Sequence, residues 1–272
     1  MDMNLKIGVV GLGLIGGSIF KALCALRCNV YGVSRSNQTI EKASKYSSNV
    51  SKSLELLKDC DIVFVCTHMW HMEELLGKLE KVLPASTIVA DISSLKRFVS
   101  KKKRLYKFIP THPMAGTEFN GFDNAFESLF QGAKWILTPF EGTDESDIKK
   151  LTDVIEVLGA KPVFTTPEEH DEAVALISHM PMLISQALFK TSSGSDLALK
   201  LASSGFRDMT RLALSNDEMA QDMISLNSDN IQNSLLKLYS SIGELLDKDY
   251  LNQIRKIKKE RQQMYVNGKN VL

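Results

Sequence analysis

The opening stretch, LKIGVVGLGLIGGS from Leu5 to Ser18, constrains this chain more than any other. An apolar run ends in a glycine-rich turn, and an apolar helical pattern follows at once. Gly11-x-Gly13-x-x-Gly16 has the spacing in which one glycine allows a sharp turn, the next lets a ligand approach the backbone, and the third lets a helix lie close on its strand. Gly11, Gly13, Leu14, Ile15 and Gly16 would then present backbone N–H groups to a pyrophosphate, at the positive end of a helix running from about Ile15 to Arg27. A GxGxxG pattern alone is weakly specific. With a strand before it, a helix after it and a second strand at Asn29–Val33, it predicts a dinucleotide-binding βαβ unit.

The chain has 272 residues, enough for one large or two ordinary domains. Its 33 basic and 32 acidic residues leave a formal charge of +1, which gives no electrostatic case for nucleic acid or a membrane surface. Cys24, Cys28, Cys60 and Cys66 form no CxxC pair and read as small core residues in a reducing compartment. No apolar run approaches the roughly 20 residues of a membrane helix, and the N-terminus enters a strand directly. The expectation is a cytoplasmic protein without nucleic-acid or membrane partners.

Strand-like runs alternate with helical patterns as far as Thr165: Leu5–Val10, Asn29–Val33, Asp61–Cys66, Thr87–Asp91, Lys107–Thr111, Lys134–Leu137 and Lys161–Thr165, with helices at His71–Leu83, Ser94–Arg104 and Asp144–Leu158. This order predicts an α/β fold with a doubly wound, mainly parallel sheet over residues 1–166. From Pro167 the pattern is helical: Pro167–Phe189 interrupted at Pro181, a piece from about Phe206, and amphipathic segments from Asp217 to about Gln263. Residues 167–272 read as an all-helical domain with more apolar helix faces than it can cover alone, which predicts a homodimer.

The second strand ends in Ser34-Arg35-Ser36, where this fold usually carries an acidic residue for the adenosine ribose. A hydroxyl and a guanidinium there suit the 2′-phosphate of NADP, so NADP is expected ahead of NAD. Thr67, at the end of the third strand, should face the cofactor. His68-x-x-His71 lacks further ligands at a telling spacing and reads as a polar helix start, so no metal is expected. Ser93 or Ser94 could cap a helix or point into the cleft. His112, at a strand end before Pro113 and near small residues, is placed for proton transfer. Arg207 and Arg211 share one helix face, a crowding of positive charge that asks for an anion; Asp208 is the nearest internal candidate.

GLGLIGGS, DISSLK, THPMAGTE, SHMP (Ser178–Pro181) and SSGFRDMTR (Ser203–Arg211) together resemble the prephenate and arogenate dehydrogenase family of tyrosine biosynthesis. The resemblance implies a dinucleotide-binding domain followed by a helical dimerisation and substrate-binding domain, and oxidative decarboxylation of prephenate, with arogenate as the alternative substrate. It makes His112 the proton acceptor, gives Ser94 the ring hydroxyl, and gives Arg211 the substrate carboxylate with Arg207 and Asp208 in support. Ser178, His179 and Glu118 become substrate-side residues, His179 being equally readable as a packed core residue and Glu118 as an exposed helix-start acid. Met182 stands where many members have a second histidine. His170, in EEHDE, reads as a solvated helix residue, although the EHD triplet has counterparts in the family. A non-catalytic NADP(H)-binding sensor and a β-hydroxyacid dehydrogenase are the other readings. The latter is disfavoured because no lysine stands in a comparable Gly-rich setting.

Overall fold

In the computed structural model, which describes residues 2, 4–117, 119–246 and 249–267, the first strand is buried almost throughout. β1 (Lys6–Val10) leads through the glycine turn into α1 (Leu14–Ala25), and β2 (Asn29–Val33) returns beside β1 in parallel, with Ile7 opposite Val30. After α2 (Asn37–Ala43) and the short β3 (Val50–Ser51), the chain crosses to the other side of β1. β4 (Ile62–Val65), α3 (Met69–Leu79), β5 (Ile88–Asp91) and β6 (Lys107–Phe108) complete a six-stranded parallel sheet in the order β3-β2-β1-β4-β5-β6.

Strands rich in valine and isoleucine suit this sheet because both faces are covered. Successive side chains point to opposite faces. Ile7, Val9, Ile62 and Phe64 therefore join Ile19, Phe20 and Leu23 of α1 in one core. Val10, Val63, Val65 and Val89 join Met72, Leu76 and Leu79 of α3 in the other.

Lys107–Thr111 was expected as one strand, but the chain leaves the large sheet at Ile109-Pro110. Proline has no N–H for a strand ladder, and the Pro110 carbonyl instead accepts from Thr138 N at 3.0 Å. β7 (Thr111–Pro113) pairs antiparallel with β8 (Lys134–Leu137), and β8 pairs with β9 (Lys161–Phe164), forming a separate three-stranded sheet. The strands expected to extend the first sheet thus make a second one, and His112 lies within a strand rather than at a strand end. Between β8 and β9 runs α4 (Glu145–Val157), capped by the Asp144 carboxylate, which accepts from Ser146 N at 2.8 Å.

Ser94–Arg104 is not the expected helix. Lys96 is drawn into the interior by its side chain, the Lys96 and Arg97 amides donate to Asp171, and the segment keeps one 3-10 turn at Val99–Lys101. Tertiary bonds here override local propensity.

The helical part comprises α5 (Pro167–Val174), a π turn (Ala175–His179), α6 (Met180–Ser192), α7 (Asp196–Leu201), α8 (Ser204–Thr210), a 3-10 turn at Arg211–Leu214, α9 (Asp217–Leu226), α10 (Ser228–Leu245) and α11 (Tyr250–Asn267). Pro181 does not interrupt the helical run. It sits in the first turn of α6, after the wide π turn, where its missing N–H is tolerated. Pro167–Ser192 is consequently 26 helical residues with an apolar window of mean hydropathy 1.3, long and apolar enough to cross a membrane by length and composition, contrary to expectation. Its polar residues His170, Asp171 and His179 are buried and hydrogen-bonded within the protein, and 28% of the apolar window is buried.

The chain divides into two units, Met1–Asp171 with Leu214–Leu226, and Glu172–Ala213 with Asn227–Leu272. α9 thus groups with the first unit rather than with the helices on either side of it in the chain. There Asp222, buried, accepts from the backbone N–H of Met69 at the start of α3; burial pushes its carboxyl upward, and His68 and this bond pull the other way. Glu218 of α9 lies 3.6 Å from His68 Nδ1. In the second unit α6 packs on α8 through Phe189 and Phe206, whose ring centroids are 6.2 Å apart.

Candidate active site

The glycine turn sits at the carboxyl end of β1, where α/β sheets bind ligands. Gly11 has φ +87°, and a Cβ there would meet the Cys66 carbonyl oxygen at 2.0 Å; a Cβ on Gly16 would meet the Gly11 oxygen at the same distance. The fold itself therefore demands both glycines. Gly13 has nothing within 4 Å of an added Cβ, so its smallness serves the open side of the turn. It is the N-cap of α1 without a side-chain cap, and the first turn contains no acid. Bare N–H groups, a positive helix end and an open approach fit a dinucleotide pyrophosphate.

Leu14 and Ile15 begin that helix. At the end of β2, Ser34 Oγ accepts from Ser36 N at 3.3 Å, Ser36 caps α2 through Thr39 N, and the Arg35 side chain is exposed. Thr67, half-buried, follows β4 on the same sheet edge. Among the described residues no three His, Cys, Asp or Glu side chains gather in a metal-binding group.

His112 is one end of a hydrogen-bonded chain. Its Nδ1 is 3.0 Å from His170 Nε2, and His170 Nδ1 is 2.8 Å from Asp171 Oδ1. The two rings meet edge-on, at an interplanar angle of 77°. His170 is 3% exposed and Asp171 1%. The Asp171 carboxylate also accepts from Lys96 N at 2.7 Å and Arg97 N at 3.0 Å, with Arg97 Nε at 3.5 Å. An ionised carboxylate can only accept, so His170 donates from Nδ1 and accepts at Nε2. His112 in turn donates from Nδ1, which puts its basic lone pair on Nε2. The chain thus selects one tautomer of His112 and supports positive charge on it, as a general base requires.

Beneath β7 lies a buried ion pair. Lys96 Nζ, with no exposure, is 2.5 Å from Asp91 Oδ2 and 2.5 Å from the Thr111 carbonyl, and Asp91 Oδ1 accepts from Thr111 N at 2.9 Å. Burial pushes the Lys96 ammonium below its usual range, and Asp91 opposes that shift. These bonds join the end of β5 to the start of β7, one residue before His112. Ser93 is bound into the same cluster through Asp91, so Ser94 is the serine with the freer hydroxyl; its Oγ lies 3.6 Å from Met69 Sδ. Neither serine caps a regular helix.

In the helical unit His179 ends the π turn, 1% exposed, with Nδ1 3.2 Å from Asn227 Nδ2. Ser178 beside it is half-buried, and Met182 is buried. Arg207 lies 3.5 Å from Asp208, both side chains exposed, so the anion nearest this arginine is an internal one. Arg211, also exposed, opens the 3-10 turn after α8. Glu118 lies outside the described residues.

His170 and Asp171 are what the sequence reading missed, since His170 is not solvated but buried. A signal was present. Thr166 and Glu169 form a capping box, Glu169 N bonding Thr166 Oγ1 and Thr166 N bonding Glu169 Oε2, each at 3.2 Å. With the helix start fixed there, His170 and Asp171 stand four residues before the buried Val174 and Ala175, on the inward face.

The glycine cradle fits the class to which the comparisons assign the chain, the NAD(P)-dependent dehydrogenases. The model of the prephenate dehydrogenase nucleotide-binding domain matches residues 21–164, and that of the prephenate dehydrogenase dimerization domain matches 166–260. A cyclohexadienyl dehydrogenase of Zymomonas mobilis is 30% identical over 92% of each chain. The crystal structure of Synechocystis arogenate dehydrogenase is similar at 37% identity, covering 95% of this chain and 97% of that one, with a TM-score of 0.82. That of prephenate dehydrogenase from A. aeolicus, in complex with hydroxyphenyl propionate and NAD+, is 26% identical over 97% and 99%, with a TM-score of 0.85. The chain belongs to the prephenate and arogenate dehydrogenase family, oxidoreductases of tyrosine biosynthesis.

Proposed function

We propose that the chain oxidatively decarboxylates prephenate to 4-hydroxyphenylpyruvate, with NADP+ as the preferred oxidant. The observation that carries this reading is the His112–His170–Asp171 chain, which leaves a basic nitrogen on a histidine of the dinucleotide-binding unit. When bound, the nicotinamide supplies the hydride acceptor for the carbon bearing the ring hydroxyl. His112 Nε2 takes the hydroxyl proton, and Ser94 orients that hydroxyl. Cleavage of the bond to the ring carboxylate releases CO2 and leaves its electron pair in a newly aromatic ring, so the residues mainly align the reacting groups. Gly11, Gly13, Leu14, Ile15, Gly16 and Thr67 hold the cofactor, and Ser34 and Arg35 favour a 2′-phosphate. Arg211, supported by Arg207, takes a substrate carboxylate; Ser178, His179 and Glu118 complete the substrate residues. The match to a dimerization domain supports a homodimer through the helical unit.

A second reading replaces prephenate by arogenate, with tyrosine as the product. The 37% identity to an arogenate dehydrogenase favours it. The deciding experiment follows nucleotide reduction by absorbance with prephenate or arogenate, each with NAD+ or NADP+. Turnover of prephenate with NADP+ ahead of the other pairs is the expected result. Preference for arogenate moves the assignment to the second reading, and folded, dinucleotide-binding protein that reduces no cofactor with either acid overturns both.

A further inference from the structure

We propose that Asn227 is a positioning residue that fixes His179 as a hydrogen-bond donor, and thereby biases the helical unit toward a keto group over an ammonium group on the substrate side chain. The inference rests on the reading that His179 contacts that side chain. His179 is held at the end of a π turn, a rare local widening often found at functional sites. Asn227 is fully buried at the N-cap of α10, where an asparagine side chain ordinarily bonds the first turn. This one makes no cap bond. Its Oδ1 accepts from Asn230 Nδ2 at 2.9 Å, which turns its Nδ2 toward His179 Nδ1 at 3.2 Å.

An amide nitrogen only donates, so Nδ1 of His179 must be the acceptor, and the neutral ring then carries its proton on Nε2. An Nε2–H group matches a carbonyl oxygen. It is the wrong partner for an ammonium, which also donates. Prephenate and arogenate differ at this one position, keto oxygen against ammonium. An aspartate at 227 would be nearly isosteric and could only accept, moving the His179 proton to Nδ1 and reversing the sense of Nε2.

The test combines two readouts on full-length protein. Nitrogen-15 NMR of histidine-labelled protein, with His179 assigned by loss of its signals in H179Q, should report the Nε2–H tautomer in wild type and Nδ1–H in N227D. The ratio of kcat/KM for prephenate over arogenate should fall by about tenfold in N227D, the scale of one mismatched hydrogen bond. In the H179Q background, N227D should leave that ratio unchanged. An unaltered tautomer in folded N227D, an unaltered ratio, or an equal shift in the H179Q background each overturns the proposal. Absence of turnover with both acids in the wild type instead overturns the reading of the reaction, while the NMR result still decides what Asn227 does to His179.

Discussion

The two units bury their apolar residues in different ways. The first surrounds its sheet with two closed cores, one on each face, and its key polar groups are hydrogen-bonded beneath them. The second exposes a stripe of Leu236, Tyr239 and Ile242 on α10 and Leu246 at its C-cap, with Tyr239 78% and Leu246 83% accessible. These positions recur at three- and four-residue spacing, one face of a helix. The first unit thus builds two buried cores of its own, with Trp70, Leu105 and Leu214 left exposed, whereas the second, in the region matching a dimerization domain, exposes one apolar helix face suited to another copy. The hydrogen-bonded chain of His112, His170 and Asp171 belongs wholly to the first unit.

The largest effect expected from breaking this contrast lies under β7. Asp91→Asn leaves Lys96 buried without its carboxylate, which should cost about 3–5 kcal/mol and lower the melting temperature by roughly 10 °C in a calorimetric scan. His112→Ala should keep the fold, by circular dichroism, and lower kcat by about 10²–10⁴-fold. His170→Phe removes the middle of the chain and should lower kcat by about 10–100-fold with little change in cofactor affinity, placing it between an intact base and none. The double variant Leu236→Asp, Tyr239→Asp addresses the other unit: sedimentation velocity should show a shift from dimer to monomer at micromolar concentration, and unchanged sedimentation would mean this stripe is not the interface. The smallest effect is expected at Arg35→Ala, a rise of about tenfold in KM for NADP+ with KM for NAD+ nearly constant.

How much of this was legible depended on how local each signal is. The glycine turn could be read because Gly11 and Gly16 are demanded within the span of one strand and one helix. Five of the six parallel strands announced themselves by apolar runs; the two-residue β3 did not. The partition into two sheets did not, because it turns on where the Pro110 carbonyl and its neighbours find partners far along the chain. Ser94–Arg104 looked helical for the same reason: nothing nearby tells that Asp171 takes the Lys96 and Arg97 amides. His170 was hidden by composition, since EEHDE is polar throughout and only the helix phase set by Thr166 and Glu169 turns its histidine inward.

The return of α9 to the first unit has a consequence for the order in which the protein can mature. Synthesis runs from the N-terminus, so the sheet, the glycine turn and His112 all emerge before Asp222, the α9 acid that bonds the start of α3. The dinucleotide-binding half is finished only after the excursion through residues 172–213 has been made. A gene truncated after codon 171 would therefore encode His112 and its hydrogen-bonded chain but lack the strap over α3, and an autonomous version would need residues 214–226 rejoined by a short linker.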